Sequence, residues 1–144
     1  MAEDNATLIR RFFLGVFQDR NLALADDLVT QDCLQHFGGQ PEPFRGPDGV
    51  KQVARIYHTA FPDLQVTVDD VFAAGEKVGL RWSSAGTHRG DLAGIPPTNK
   101  WMHTSGINIW RVVDGKIVEN WTEWDQFGMM QQLGVIPTPG QTPN

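Results

Sequence analysis

At Pro62 the hydrophobic period of the chain changes, and that change limits the folds open to it. Ahead of the proline, Leu8, Ile9, Phe12, Phe13, Val16 and Phe17 recur at helical spacing. Val50, Val53, Ala54, Tyr57 and Phe61 do so again. Beyond it, LQVTVDDVF and VGLRWSSAG alternate on either side of the turn AAGEK. A second long hairpin, from Met102 to Trp124, reverses at Asp114-Gly115, a strong type I′ signal. Helices first and long antiparallel strands afterwards predict an α+β domain. A curled antiparallel sheet with helices over one face makes a cone with an interior.

The boundaries follow from local chemistry. Asp4 or Asn5 can cap the first helix, and LALADDLV after Asn21 reads as a second. A brief strand over Cys33 to Phe37 leads into the Gly/Pro-rich loop GGQPEPFRGP. Pro47 suits the first turn of a third helix, where its missing N–H costs nothing, and Pro62 ends that helix. The closing helix runs from about Gln126 to Leu133 and stops at Gly134 and Pro137. One domain is expected over residues 1–136, with 137–144 as a flexible tail.

Composition removes several function classes. A chain of 144 residues with 40% apolar content can enclose a core and a small-molecule pocket. The formal charge of -5 and a pI near 5.2 argue against nucleic acid or an anionic membrane as partner. No apolar run approaches the roughly 20 residues needed to span a bilayer. The start, MAEDNATLIRRFF, is acidic where a signal peptide is basic, so a cytoplasmic protein is expected. Cys33 stands alone, which leaves no disulfide framework and no multi-cysteine zinc site.

Asp125 is the residue on which function turns. It lies in WTEWDQFGMMQQLG, among Trp121, Trp124 and Phe127, where a strand gives way to a helix. Such an Asp can cap the helix by accepting from Phe127 or Gly128 N–H. Alternatively, aromatic burial can raise its pKa toward the range useful for proton transfer. Glu123 and Glu119 share its face if the strand is regular, and lose that parity if it bulges.

None of the four histidines has metal-ligand spacing. His58 sits off the apolar face of its helix and reads as a surface residue, and His103 follows Trp101 near the start of a strand. His36 and His88, where strands open into loops, are the better pocket candidates. No GxSxG elbow, dinucleotide fingerprint or other cofactor signature is present, so no cofactor is expected. Ser83, Ser84 and Ser105 fall in strands. Trp82, Trp101, Trp110 and Trp121 can build either a core or an apolar ligand cavity, within which Tyr57 and Asn108 offer polar groups.

FPDL (61–64), GTHRGDLAGIPPTNK (86–100), RVVDGKIVENW (111–121) and WDQFGMMQQLGV (124–135) together resemble the SnoaL-like polyketide cyclase family. The resemblance implies the nuclear transport factor 2-like α+β barrel, a hydrophobic polyketide-like substrate and a homodimer formed through the sheet. It also implies cofactor-independent ring closure in antibiotic biosynthesis, with Asp125 as the aldol acid/base. Two departures stand out: Asn99 alters the loop motif, and no histidine lies near Ile109 to Arg111, where the family has its second one. Arg89 and Asp91, spaced as the Arg-x-Asp pair of related epoxide hydrolases, read as loop. Pericyclic closure or isomerisation, hydrolysis or hydration, and simple binding of a hydrophobic molecule are the other readings such a cone allows.

Overall fold

The computed structural model describes residues 3–137, so the predicted tail lies outside the described residues from position 138. Helix α1 (Asn5–Phe13) begins where the Asp4 carboxylate accepts the Thr7 N–H at 2.8 Å. It continues into a π-helical turn, Leu14–Gln18. Gly15 in that turn admits Leu24 of α2 (Ala23–Leu28); a Cβ there would run into Leu24 Cδ1.

Strand β1 (Val29–Phe37) starts four residues earlier than its apolar run suggested, and β2 (Phe44–Arg45) forms inside the Gly/Pro-rich loop. Helix α3 (Gly46–Ala60) carries Pro47 in its first turn, as expected. Strands β3 (Gln65–Ala74), β4 (Lys77–Thr87), β5 (Trp101–Val113) and β6 (Lys116–Trp124) precede α4 (Gln126–Gln132). Asp114 (φ 50°) and Gly115 (φ 75°) both adopt the positive φ that a type I′ turn requires.

The strands form one curved, unclosed sheet in the order β2-β1-β6-β5-β4-β3. The expectation of a wholly antiparallel sheet needs one correction: β1 runs parallel to β6, with Gln35 beside Asn120 and Phe37 beside Thr122. A parallel pair cannot be joined by a tight turn, and here the connection is α3 together with four intervening strands.

The helices pack on the concave face. Phe12, fully buried, meets Trp110 of β5 edge-to-face at 5.5 Å, and Phe13 packs on Trp82 of β4. Truncating a buried phenylalanine of this kind to alanine costs about 3–5 kcal/mol. A second cluster, around Phe61, Met102, Met129 and Leu133, closes the other end of the interior. The convex face is left with Phe72, Trp101, Ile107 and Ile109 exposed.

Candidate active site

Strand parity decides which side chains enter the cone. Along β5 burial alternates without a break: Met102, Thr104, Gly106, Asn108, Trp110 and Val112 are buried, and their neighbours are not. Strand β6 pairs with β5 in continuous register from Glu119 to Trp124, so no bulge interrupts its period of two. Asn120, Thr122 and Trp124 therefore face inward, while Glu119, Trp121 and Glu123 face outward. These inward groups, with Phe13, Phe17 and Tyr57 from the helical layer, enclose a cavity of about 90 Å³.

The cavity's polar content is neutral. Trp82 Nε1 donates to Asn108 Oδ1 at 2.8 Å. Asn108 Nδ2 donates to Asn120 Oδ1 (3.0 Å) and to Thr122 Oγ1 (2.8 Å), and Asn120 Nδ2 also donates to Thr122 Oγ1 (3.2 Å). Gln35 of β1 donates to Gly46 O at 3.0 Å. Among the described residues Tyr57 is the one titratable group in the lining, and burial pushes its hydroxyl up to about 12. It stays protonated at neutral pH. The Trp110 indole N–H is buried and lacks a partner among the described residues.

A wider hollow of about 250 Å³ adjoins this cavity and shares Phe37, Val53, Tyr57, Trp124 and Met129 with it. Tyr57 and Trp124 meet edge-to-face at 5.5 Å and stand at the junction. The inner space alone is below the roughly 300–1,000 Å³ of an ordinary ligand pocket.

The candidates read from sequence divide accordingly. Tyr57, Trp82, Asn108 and Trp110 line the cavity together. Asp125 does not: of its two readings, the structure shows the helix cap and not burial among the aromatics. It is exposed, caps α4 by accepting the Gly128 N–H at 2.9 Å, and opens on an outer depression of about 390 Å³ with Arg81, Ser105 and Glu123. The cause is parity: Trp121, Glu123 and Asp125 share a face, as a regular strand requires, but it is the convex one.

Trp121 and Glu123 are corrected for the same reason, and Trp101 is exposed beside His103. His36 lies outside the cavity, paired with Glu119 at 2.8 Å and stacked on Trp121. His88 is buried but braces a loop: its Nδ1 accepts the Thr98 N–H, its backbone bonds to Lys100 and Asn99, and its ring packs on Phe61. His58, expected at the surface, is half-buried and bonds Phe17 O at 2.8 Å, its pKa lowered by desolvation. Besides Gln35 and Ser84, the polar lining residues that sequence reasoning missed are, on β5 and β6, Asn120, Thr122 and Thr104. Their signal was available, because each stands an even number of positions from Asn108 or Trp124.

Among the described residues no three His, Cys, Asp or Glu side chains gather as a metal site, and no helix is long and apolar enough to cross a membrane.

The profile of the SnoaL-like polyketide cyclase family matches residues 7–133. The aklanonic acid methyl ester cyclase DauD of Streptomyces sp. (strain C5) is 26% identical over 136 residues, covering 92% of this chain and 81% of that protein. The nogalonic acid methyl ester cyclase of Streptomyces nogalater is 40% identical over 50 residues, 34% of this chain and 37% of that one. Among solved structures, TsrD from Streptomyces laurentii superposes with a TM-score of 0.80 at 25% identity, covering 94% of this chain and all of that one.

Proposed function

This chain belongs to the SnoaL-like polyketide cyclase family, whose chemistry is enzymatic ring closure, and on that premise we propose that its cavity folds and desolvates a polyketide-derived intermediate until the ring closes. The observation that carries this reading is the character of the lining: aromatic walls, neutral hydrogen-bonding groups, and neither a carboxylate nor a histidine.

In the aldol form of the reaction a carbon flanked by two carbonyls gives its proton to a solvent water, which later returns it, and the enolate carbon attacks a third carbonyl. One C–C bond forms, that carbonyl's π bond breaks, and the resulting alkoxide takes up a proton. Reactant and product are isomers, so the balance calls for no redox partner. The flanking carbonyls already make the carbon acidic, and this lowers the demand on a base. A positioned base contributes typically about 10²–10⁴-fold, roughly 3–5 kcal/mol. Holding a flexible chain in its attack geometry contributes up to about 7–11 kcal/mol. The larger of the two is the one this cavity is built to supply. Asp125 then serves as a helix cap, and a pericyclic closure would be promoted by the same positioning.

The substrate is a hydrophobic polyketide with at least one ring that fits the inner cavity, its remainder lying in the adjoining hollow. The exposed Phe72, Ile107 and Ile109 on the convex face support a homodimer, which sedimentation would register as a doubled mass.

The test is direct. Purified protein and its Asp125→Asn variant are incubated with a panel of polyketide methyl esters, including aklanonic acid methyl ester. Products are followed by chromatography and mass spectrometry. Isomeric ring-closed product from both proteins is the expected result. A folded Asp125→Asn variant without turnover would transfer the proton chemistry to that carboxylate, and return of the whole panel unchanged would refute the cyclase reading.

A further inference from the structure

We propose that Thr122 is a substrate-binding residue whose hydroxyl donates a hydrogen bond to a ketone or enolate oxygen of the bound molecule. The inference rests on the ring-closure reading for its setting, and on the direction of one hydrogen-bond chain for its content.

The direction is fixed from the outer end. An indole N–H can only donate, so Asn108 must turn its Oδ1 toward Trp82. That leaves the Asn108 amide nitrogen facing β6, where it donates to both Asn120 Oδ1 and Thr122 Oγ1. With its oxygen committed to Asn108, Asn120 presents its own nitrogen to Thr122. The Thr122 oxygen thus receives two N–H groups, which fills both lone pairs. Its own proton has no acceptor among the described residues, since both neighbours in the chain meet it with donors.

Three further facts make this a binding position. Asn108, Asn120 and Thr122 are all nearly fully buried, so water does not freely satisfy the proton. Thr122 lines the cavity and sits on β6 between two strands, paired with Asn108 on one side and Phe37 on the other. Its backbone is therefore held from both sides before any ligand arrives. A chain of aligned donors also strengthens its last member, because each bond polarises the next. What such a terminus accepts is an oxygen with free lone pairs, and it does best where that oxygen gains negative charge. In a ring closure that atom is the carbonyl under attack, or the enolate oxygen.

The probe pair is acetophenone and α-methylstyrene, which share a shape but differ in a C=O against a C=CH₂. Binding of each is measured to the full-length protein and to Thr122→Val and Thr122→Ser. The expected result is that Thr122→Val binds acetophenone about 3–10-fold more weakly, the worth of one neutral hydrogen bond. Affinity for α-methylstyrene should hold, and Thr122→Ser should restore the preference. Thermal melts report whether Thr122→Val, which strips two N–H groups of their acceptor, remains folded.

A second readout needs no variant. The infrared C=O stretch of acetophenone bound to the unmodified protein should move to lower frequency than in a hydrocarbon solvent. An unmoved band, an unchanged acetophenone to α-methylstyrene ratio in folded Thr122→Val, or binding of neither probe overturns the proposal. These readouts do not involve turnover. Carbonyl discrimination without ring closure would refute the cyclase reading alone, and ring closure without discrimination would refute this one alone.

Discussion

Replacing Gly106 by alanine tests whether the cavity wall is as tightly set as the geometry implies. Gly106 lies on β5 directly between Trp82 of β4 and Trp124 of β6. A Cβ there would stand 2.5 Å from Trp82 Cζ2, 2.7 Å from Trp82 Cε2 and 2.6 Å from Trp124 Cβ. Carbon atoms pack at about 3.5–4.0 Å, so each approach is short by about 1 Å. Neither neighbour yields easily. Trp82 is tied to Asn108 by its indole N–H, and Trp124 Cβ moves only with the β6 backbone, which the Asp125 N–H to Ser105 O bond holds in place.

Overpacking of this kind costs about 1–3 kcal/mol, and turning Trp82 away adds about 0.5–1.5 kcal/mol for its hydrogen bond. Relief of glycine's backbone entropy returns about 0.5–1 kcal/mol. The net loss is about 2 kcal/mol, or about 8 °C in Tm for a chain of this size. Urea unfolding gives the free energy, and near-ultraviolet circular dichroism reports the Trp82–Trp124 arrangement. In a Trp82→Ala background two of the three close approaches vanish, and Gly106→Ala should cost markedly less there. A variant within about 0.5 kcal/mol of the parent in both backgrounds would refute the argument.

Two other perturbations check the site's remaining assignments. Asp125→Ala should lose about 0.5–2 kcal/mol in urea unfolding, and Asp125→Asn almost nothing, because asparagine caps a helix about as well as aspartate. Gly128→Ala should lose less than Asp125→Ala, since its Cβ would displace Asp125 Oδ2 while alanine's helix propensity returns about 1 kcal/mol; equal stability of Asp125→Ala and Asp125→Asn would deny the cap. For Tyr57, the folded hydroxyl at about 12 against 10.0 for the free group means that the folded state keeps its proton longer. Stability therefore falls as pH rises from 10 toward 12, by at most about 2–3 kcal/mol. Tyr57→Phe should flatten that part of the profile, and parallel pH curves for the two proteins would contradict the assigned burial.

Helix and strand order, the Asp114-Gly115 turn and the closing helix were all legible in the sequence, because each depends on local chemistry that a few residues express. The β1–β6 pairing was not, since no pattern within β1 says which distant strand lies beside it or in which direction. The site shows the same divide. Alternation correctly grouped Trp121, Glu123 and Asp125 on one face, yet period two alone cannot say which face is concave. That was decided by where Phe12 and Phe13 of α1 dock, against Trp110 and Trp82. Once Trp110 is known to point inward, Asn108 follows at two residues' distance, and the β5–β6 register brings Asn120 and Thr122 in opposite them. An acidic residue among tryptophans need not be buried with them, because a tryptophan-rich segment can present its rings to both sides of a sheet.

The parallel seam between β1 and β6 also governs when the protein can become a protein. Residues 29–37 and 117–122 meet only after the strand about 80 residues further along has been synthesised. The β3–β4–β5 meander can pair as it emerges, whereas the first helices must wait for the sheet that covers Phe12 and Phe13. Contacts so distant in sequence slow folding, because their loop must close before they contribute. During that interval on the ribosome the N-terminal helices present an apolar stripe to the cell, the kind of segment a holding chaperone takes up. Gln35 and Phe37 join Asn120 and Thr122 at this same seam, so no nascent intermediate that lacks β6 can carry the cavity.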